Sequence, residues 1–317
     1  MSHAPLIVLA GPTASGKSAL ALALAERADG EIVAADSMQV YRGLDIGTAK
    51  PTAQDRDRIP HHLLDVVRPD QPFTAAEYAR LASAAVGDIR ARGRLPILVG
   101  GTGLYIRALL EGLFDGPGGV TRLRELLYRE AAETGSAILH RRLETIDPDA
   151  AAAIHPHDLS RIVRALEVAA VSGRPISTLR AEGRRDGGPV AGPILKYGLD
   201  RNRQELYRRI DARVEAMMAQ GLLREVRGLL DQGYNGTLRS LRAIGYRHMI
   251  EHLQGQINLD DAVASLKRDT RRYGKRQLTW FRHQHEIEWL TVEGSAVSKQ
   301  MLQRLVERIE ETWSRTV

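Results

Sequence analysis

Residues 11–18 read GPTASGKS, a spacing of glycines and lysine that is typical of phosphate-binding loops. The glycines let the backbone curl so that successive N–H groups point inward, and a helix that begins at the loop adds partial positive charge. Lys17 would contact phosphate oxygens, and the Ser18 hydroxyl could reach a Mg²⁺ ion. The segment predicts a phosphate site, but a triphosphate, a nucleotide being phosphorylated and a diphosphate leaving group would all fit it.

A second reactive group is Asp36, which follows the apolar run EIVAA. It is either a base that acts on a second substrate or an aspartate that caps a turn. Nucleotide hydrolases usually place a carboxylate at the end of another apolar strand, but LPILVGGTG (95–103) ends in glycines and threonine. Two classes stay open: a P-loop kinase of a nucleoside or small metabolite, and a transferase whose donor carries a diphosphate.

The elements that must position these groups alternate between short apolar runs and helical patterns. Such alternation predicts an α/β fold, a P-loop kinase-like parallel sheet with helices on both faces. Thr74 with Glu77 three residues later predicts a capping box at a helix start. The predicted strands are Pro5–Ala10, Glu31–Ala35, His62–Val67, Leu95–Gly101 and Ile194–Leu199, with HEIEWLTV (285–292) as a candidate edge strand.

Two segments rich in glycine and proline, 115–122 and 187–193, enclose a stretch with helical patterns and no strand pattern. We therefore predict a helical insertion domain at 119–189, within a core domain made of 1–118 and 190–317, with a basic helical C-terminal part. The insertion has the size of a small structural unit.

Composition excludes several classes of protein. The 317-residue chain has no cysteine, which excludes disulfides and thiolate metal sites. No apolar run approaches the ~20 residues that span a bilayer, and LIVLA is too short for a signal core, so we expect a cytoplasmic protein. The segment 201–282 has 17 Lys and Arg against 9 Asp and Glu, a charge of +8 within a total of +6. Such a segment suits nucleic acid, an anionic membrane or polyphosphate.

A series of motifs in order decides between these alternatives. They are GPTASGKS, DSMQVYRGLDIGTAKP, HHLLDV, LVGGTGLYIRALLEG, IHPHDLSRIVRALEV, AIGYRHM and KRQLTWFR, which span most of the chain. Together they resemble the tRNA dimethylallyltransferase family, in its bacterial form, since the cysteines of the zinc finger found in eukaryotic relatives are absent. The resemblance implies transfer of a dimethylallyl group from dimethylallyl diphosphate to the exocyclic N6 amine of the adenosine 3′ of the anticodon in tRNA. We expect tRNA and dimethylallyl diphosphate as partners, Mg²⁺ as cofactor, no membrane association and a monomer.

The resemblance also implies roles for individual residues. Asp36 matches the catalytic base, while Thr13, Lys17 and Arg213 would act on the diphosphate. The donor loop is Gly11, Pro12, Thr13, Ala14, Ser15, Gly16, Lys17 and Ser18, with Ser18 as the Mg²⁺ ligand. The expected tRNA contacts are Asp36, Ser37, Met38, Gln39, Thr102, Arg124, His157, Asp158, Leu159, Ser160, Arg161, Arg242, Ala243, Ile244, Gly245, Tyr246, Arg247, Lys275 and Arg276.

Other interpretations compete for some of these segments. A nucleoside or metabolite kinase is the alternative function, and a non-catalytic RNA-binding protein is a third. The histidines of HPHDLSR lack a third ligand nearby, so a metal site there is not expected. Tyr273, Trp280 and Phe281 either stack on bases or pack in a helical core. We expect that ATP is neither hydrolysed nor required.

Overall fold

The computed structural model describes residues 4–114, 116, 121–183, 188–284, 286–292, 294 and 298–314. Every residue of the first strand, LIVLA, is buried, and this strand lies inside a six-stranded sheet in the order β3-β2-β4-β1-β5-β6. All neighbouring strands run parallel. The strands are β1 (Leu6–Ala10), β2 (Gly30–Ala35), β3 (His61–His62), β4 (Leu95–Gly100), β5 (Ile194–Asp200) and β6 (Glu288–Thr291).

Fourteen helices are present in the residues described above. They are α1 (Lys17–Arg27), α2 (Ala53–Arg58), α3 (Ala75–Ala91), α4 (Gly103–Glu111), α5 (Thr121–Thr134), α6 (Ser136–Ile146), α7 (Pro148–Ala153), α8 (Leu159–Ser172), α9 (Ile176–Gly183), α10 (Arg203–Gln220), α11 (Leu222–Asp231), α12 (Tyr246–Leu253), α13 (Leu259–Arg282) and α14 (Lys299–Ser314).

Helices cover both faces of the sheet. Ile7 and Leu9 of β1 belong to an apolar cluster with α1 and α14. Val8 is also buried and faces the opposite side, because side chains alternate along a strand. On that side α3 packs on β2 and β4, and the hydroxyl of its Tyr78 donates to the Ala34 carbonyl. The predicted α/β fold with a parallel sheet is confirmed.

The chain divides into two compact units, Met1–Leu109 with Pro189–Val317, and Leu110–Gly188. The second unit contains helices and no strand among its described residues. It has an apolar core of its own, to which Leu139, Leu143 and Ile162 contribute. Part of the predicted glycine- and proline-rich boundary segments, residues 115, 117–120 and 187, lies outside the described residues.

The prediction of a third strand over His62–Val67 is wrong. Only His61 and His62 pair with β2, and the chain then leaves the sheet. Leu63 and Asp65 have positive φ angles, 64° and 56°, which an extended strand cannot accommodate. The Asp65 carboxylate instead pairs with the buried Lys50 ammonium at 2.6 Å. Val67 makes one isolated bridge, to Tyr41.

The other predicted elements are present with small shifts at their ends. The capping box at Thr74 is confirmed: its hydroxyl accepts from the Glu77 N–H, and the Glu77 carboxylate accepts from the Thr74 N–H. The candidate edge strand is confirmed as β6, at the edge beside β5.

Candidate active site

The phosphate-binding motif forms a loop between β1 and α1. Gly11, Ala14 and Gly16 have positive φ angles of 139°, 62° and 105°. Alternation of ordinary and left-handed conformations turns successive N–H groups toward one concave side, and α1 begins immediately after Gly16. Because the N–H groups at a helix start have no partner within the helix, this concavity attracts anions.

Three cationic side chains donate hydrogen bonds to backbone carbonyls of the loop. Hydrogen bonds of this kind fix each peptide plane, so the opposite N–H groups keep their direction. Two of the donors come from residues near 200, far away in sequence. The pairs are Lys17 Nζ to the Pro12 carbonyl at 2.6 Å, Arg209 Nε to the Ala14 carbonyl at 3.0 Å and Arg201 Nε to the Ser15 carbonyl at 2.8 Å.

Gln277 of α13 also stabilises the loop, through two hydrogen bonds of its side-chain amide. Its Oε1 accepts from the Thr13 N–H at 2.8 Å, and its Nε2 donates to the Gly101 carbonyl at 3.0 Å. Because an N–H only donates and a carbonyl only accepts, these two partners settle the orientation of the amide. A Cβ at position 101 would lie 2.1 Å from the Gln277 Nε2, so a side chain there would displace this amide from its hydrogen bonds. The buried Gln277 therefore connects the phosphate loop with the loop after β4.

A cavity of about 430 Å³ opens beside the loop, and Thr13, Lys17, Ser18, Asp36 and Arg213 line it. A second cavity of about 490 Å³ is lined by the loop and the start of α1, residues 14–19, together with Arg209 and Arg213 of α10. Lys17, Ser18 and Arg213 line both cavities, so these three side chains stand where the two spaces meet. The motif predicted that Lys17 and Ser18 lie at the phosphate site. For Arg213, that prediction came only from the family resemblance.

Electrostatics at this junction depend on two cations and one carboxylate. Burial and the nearby Arg213 charge lower the pKa of Lys17 to about 7, and Asp36 opposes that shift. Burial also lowers the pKa of Arg213, again opposed by Asp36. Arg213 has no hydrogen bond or ion pair with any residue that the structure describes. A dianionic or trianionic ligand placed between Lys17 and Arg213 would stabilise the charged forms of both side chains.

Asp36 follows β2 and faces the first cavity. Its Oδ1 accepts from the N–H of Met38 at 2.8 Å and of Gln39 at 3.3 Å, which holds the side chain in a turn. Oδ2 has no hydrogen-bond partner within the described part of the chain, so it remains available to a proton. The turn that the sequence offered as the alternative role of Asp36 exists, and it leaves one oxygen free.

Thr102 stands beside this turn. Its Oγ1 accepts from the Ser37 N–H at 3.0 Å. Tyr273, one helical turn before Gln277, lines the same cavity, and burial and the Asp36 charge raise its pKa. Trp280, one turn after, packs on Gly103, where a Cβ would lie 2.4 Å from the indole. Phe281 is buried in the core.

Much of the first cavity is apolar. Such a wall suits a hydrocarbon group, because apolar surface leaves water on contact with it. The same cavity is also lined by the ionic groups described above, so the space can hold a molecule with one charged and one apolar end. The apolar side chains include Leu22, Ile32, Val99, Ile210, Val214 and Met217.

The segment 45–47 forms a further part of the cavity edge and is held by Glu225. The Glu225 carboxylate accepts from the N–H groups of Asp45, Ile46 and Gly47 at 3.1, 2.7 and 3.2 Å. It also accepts from the Tyr246 hydroxyl at 2.7 Å. Tyr246 is buried, so its ring supports the segment and its aromatic face is not open to a base.

The basic residues predicted to contact tRNA lie on two neighbouring elements. Arg242 is exposed in the turn that leads into α12, and Arg247 is exposed in the first turn of α12, with Ala243 and Ile244 lining the cavity between them. Lys275 and Arg276 are exposed on α13. In the second unit, Arg124 Nη2 donates to the buried Glu167 at 2.8 Å. Asp158 caps α8 by accepting from the Arg161 N–H, His157 precedes it, and Leu159 and Ser160 begin the helix.

No cluster of three or more His, Cys, Asp or Glu that could hold a metal occurs among the described residues. The His157 N–H donates to the Nδ1 of His155 at 3.2 Å. None of the fourteen helices combines the length and hydropathy of a membrane-spanning segment.

Sequence reasoning missed Gln277, Arg201, Arg209 and Glu225 as parts of the site. A signal existed for Gln277, since Tyr273, Gln277 and Trp280 share one helix face by their spacing. Arg209 likewise stands one helical turn before Arg213. Arg201 and Glu225 act through contacts with segments at least 178 residues away, and nothing local marks them.

Gln277→Met should weaken binding of the ligand that the phosphate loop holds. The substitution keeps the side-chain volume but removes both hydrogen bonds, leaving the buried Gly101 carbonyl unpaired. We expect the apparent affinity for that ligand to fall about 10-fold, the scale of two lost hydrogen bonds. Gln303→Met, on the exposed face of α14, is the control. Equal ligand affinity in the two variants, measured by titration calorimetry with inorganic diphosphate, would contradict this role of Gln277.

Comparisons with known proteins agree with one another. A family model described as IPP transferase matches residues 39–284. The tRNA dimethylallyltransferase 2 of Geotalea uraniireducens is 55% identical over 286 residues, which is 90% of this chain and 91% of that protein. The tRNA dimethylallyltransferase of Geobacter metallireducens is 53% identical over 91% of this chain and 93% of its own length.

Solved structures extend the similarity to the phosphate loop, which lies before the family-model match. The crystal structure of a full-length tRNA isopentenylpyrophosphate transferase from Bacillus halodurans is 38% identical, with a TM-score of 0.71 over 99% of this chain and 98% of that one. A eukaryotic dimethylallyltransferase acting on tRNA is 28% identical, with a TM-score of 0.75 over 90% of this chain and 73% of its own.

Proposed function

Because this chain belongs to the tRNA dimethylallyltransferase family, we propose that its cavity transfers a dimethylallyl group from dimethylallyl diphosphate to the N6 amine of the adenosine 3′ of the anticodon. The observation that carries the assignment is the cavity itself. Apolar side chains and a carboxylate with a free oxygen line it, and the half-buried cations Lys17 and Arg213 line both it and the adjoining cavity at the anion-binding loop.

The diphosphate end of the donor lies against the loop of residues 11–18. The inward N–H groups, Lys17 and Arg213 surround it, and Thr13 stands at the loop's edge. Negative charge grows on the departing oxygens as the C–O bond to the dimethylallyl group breaks, so donors aimed at those oxygens stabilise the transition state more than the ground state. The five-carbon chain then lies toward the apolar wall.

The acceptor amine is a poor nucleophile, because its lone pair is delocalised into the adenine ring. As the new N–C bond forms, the amine must lose a proton, and the free Oδ2 of Asp36 takes it. The bond to Met38 N–H keeps the carboxylate turned toward the cavity. The adenine must leave its stack to reach this depth, which costs less in a loop than in a duplex.

The donor set beside Lys17 fits Mg²⁺. Ser18 offers a hydroxyl oxygen at the junction of the two cavities. The lack of an acidic cluster in the described residues suits an ion held mainly by substrate oxygens and water, as Mg²⁺ usually is. When bound there, Mg²⁺ supplies positive charge to the diphosphate.

The tRNA surface is formed by Asp36–Gln39 and Thr102 at the cavity, by 242–244 and Arg247 around the start of α12, and by Lys275 with Arg276 on α13. The helical insertion, predicted at 119–189, adds Arg124 and the turn His157–Arg161. Support comes from the exposure of Arg161, Arg242, Arg247, Lys275 and Arg276, and from the excess of positive charge in 201–282.

A reaction without nucleotide tests the proposal against the kinase alternative. Purified protein, Mg²⁺, labelled dimethylallyl diphosphate and unmodified tRNA should yield labelled adenosine after digestion of the tRNA. ATP should neither be required nor release phosphate. If product formed only with ATP, and phosphate were released with it, the kinase would be the better account.

A further inference from the structure

The basic residues of α13 do not have equal surroundings. Lys267 pairs with Glu215 at 2.8 Å, and Arg271 pairs with Asp211 at 2.6 Å, so α10 neutralises this face of the helix. Arg282 pairs with Asp200 at 3.3 Å. These charges are compensated within the protein.

Arg268 and Arg272 lie on a different face and share one acid. Their guanidinium groups approach Asp269 at 3.9 and 3.4 Å, and Arg247 from α12 also pairs with it. His248 also lies against this carboxylate, with its Nε2 3.3 Å from Asp269; its Nδ1 accepts from the Gly245 N–H, and burial lowers its pKa. One carboxylate therefore pairs with three guanidinium groups, so these four side chains together carry a charge of +2.

Asp269 also fixes where those groups are. Its side chain is only 17% exposed, so the carboxylate is held between α12 and α13 while the arginines extend into solvent. Arg268, Arg272 and Arg276 follow one another at four-residue spacing and share a face of α13. A rise of 1.5 Å per residue places Arg268 and Arg276 about 12 Å apart, far enough to meet different phosphates.

We propose that Arg247, Arg268 and Arg272, organised by Asp269, form an RNA-phosphate cluster that extends the tRNA surface along α13 beyond Lys275 and Arg276. The occupant is the sugar–phosphate backbone of the same tRNA whose adenosine enters the cavity, so the inference rests on the proposed function. The cluster binds phosphate and reads no base, because guanidinium groups at this spacing match phosphate oxygens.

The test is the salt dependence of tRNA binding. Each phosphate contact that is lost lowers the slope of log K against log salt by roughly 0.7 to 0.9. We expect Arg268→Gln and Arg272→Gln each to lower the slope by about that amount and to weaken binding about 5-fold at moderate salt. Arg272→Lys should restore the slope, because it restores the charge. Lys267→Gln, the compensated neighbour on the same helix, should leave it unchanged.

Thermal unfolding of each variant shows whether the helix is intact. If the slopes of Arg268→Gln and Arg272→Gln matched wild type and Lys267→Gln, the cluster would not contact RNA, even if wild-type protein prenylated tRNA. Failure of the proposed function is a different result, since wild-type protein would then form no prenylated adenosine at any salt concentration.

Discussion

Asp36→Asn should lower kcat by about 10²-fold or more, the scale on which a general base contributes. The asparagine side chain keeps an oxygen that can accept from the Met38 and Gln39 N–H groups, so the turn is preserved. It lacks the second carboxylate oxygen that takes the proton from the adenine amine. Affinity for tRNA, measured by filter binding without donor, should change little.

Asp57→Asn provides the matched control. Asp57 is exposed in α2, and the substitution removes the same charge away from the cavity. Single-turnover rates with saturating donor and tRNA would separate chemistry from product release. A rate for Asp36→Asn within about 3-fold of the control would exclude Asp36 as the base.

Lys17→Met should slow prenyl transfer by about 10²- to 10³-fold, as expected when one donor to a developing anion is removed. The methionine side chain is similar in length and carries no charge. Because the interaction strengthens as the diphosphate departs, kcat should fall along with kcat/KM. Lys299→Met, exposed at the start of α14, is the control and should behave as wild type.

The pH profile gives an independent readout for the same lysine. With a pKa of about 7, Lys17 is protonated below neutral pH and loses its charge as the pH rises. In wild type, kcat/KM for the donor should therefore fall above about pH 7, because this parameter reports the free enzyme. The decline should be missing in Lys17→Met. An identical alkaline decline in both proteins would assign it to another group.

The phosphate loop and its flanking elements could be predicted from sequence because their determinants are local. Glycines occupy two of the three positive-φ positions of the loop, Gly11 and Gly16, and five consecutive apolar residues predict the buried strand. The capping box of α3 likewise needs only Thr74 and Glu77. Patterns of this kind do not depend on any distant segment.

The third strand was mispredicted because an apolar run does not report backbone conformation. HLLDVV has the composition of a buried strand, but Leu63 and Asp65 adopt left-handed conformations. In this conformation Asp65 forms an ion pair with Lys50, which the local sequence pattern does not indicate. Tertiary contacts outweigh β-propensity in such short segments.

The long-range supports of the site were beyond local inference for a similar reason. Gln277 and Thr13 are 264 residues apart, and Arg201 and Ser15 are 186 apart. In sequence, each is one polar residue among many on a helix or near its start. The same holds for Arg268 and Arg272. The sequence gives the charges of all four basic residues, but it does not show that Lys267 and Arg271 each pair with a separate acid while Arg268 and Arg272 share one.

The bond between Thr13 and Gln277 also has a consequence during synthesis of the chain. A ribosome that adds roughly 5 to 20 residues per second needs on the order of 10 to 50 s to make the 264 residues between them. Throughout that interval the N-terminal loop lacks its partner from α13, and β1 lacks its neighbour β5 until residues 194–200 have been made. A nascent or truncated chain therefore cannot complete its donor site, and competence appears only when the last quarter of the protein has folded onto the first.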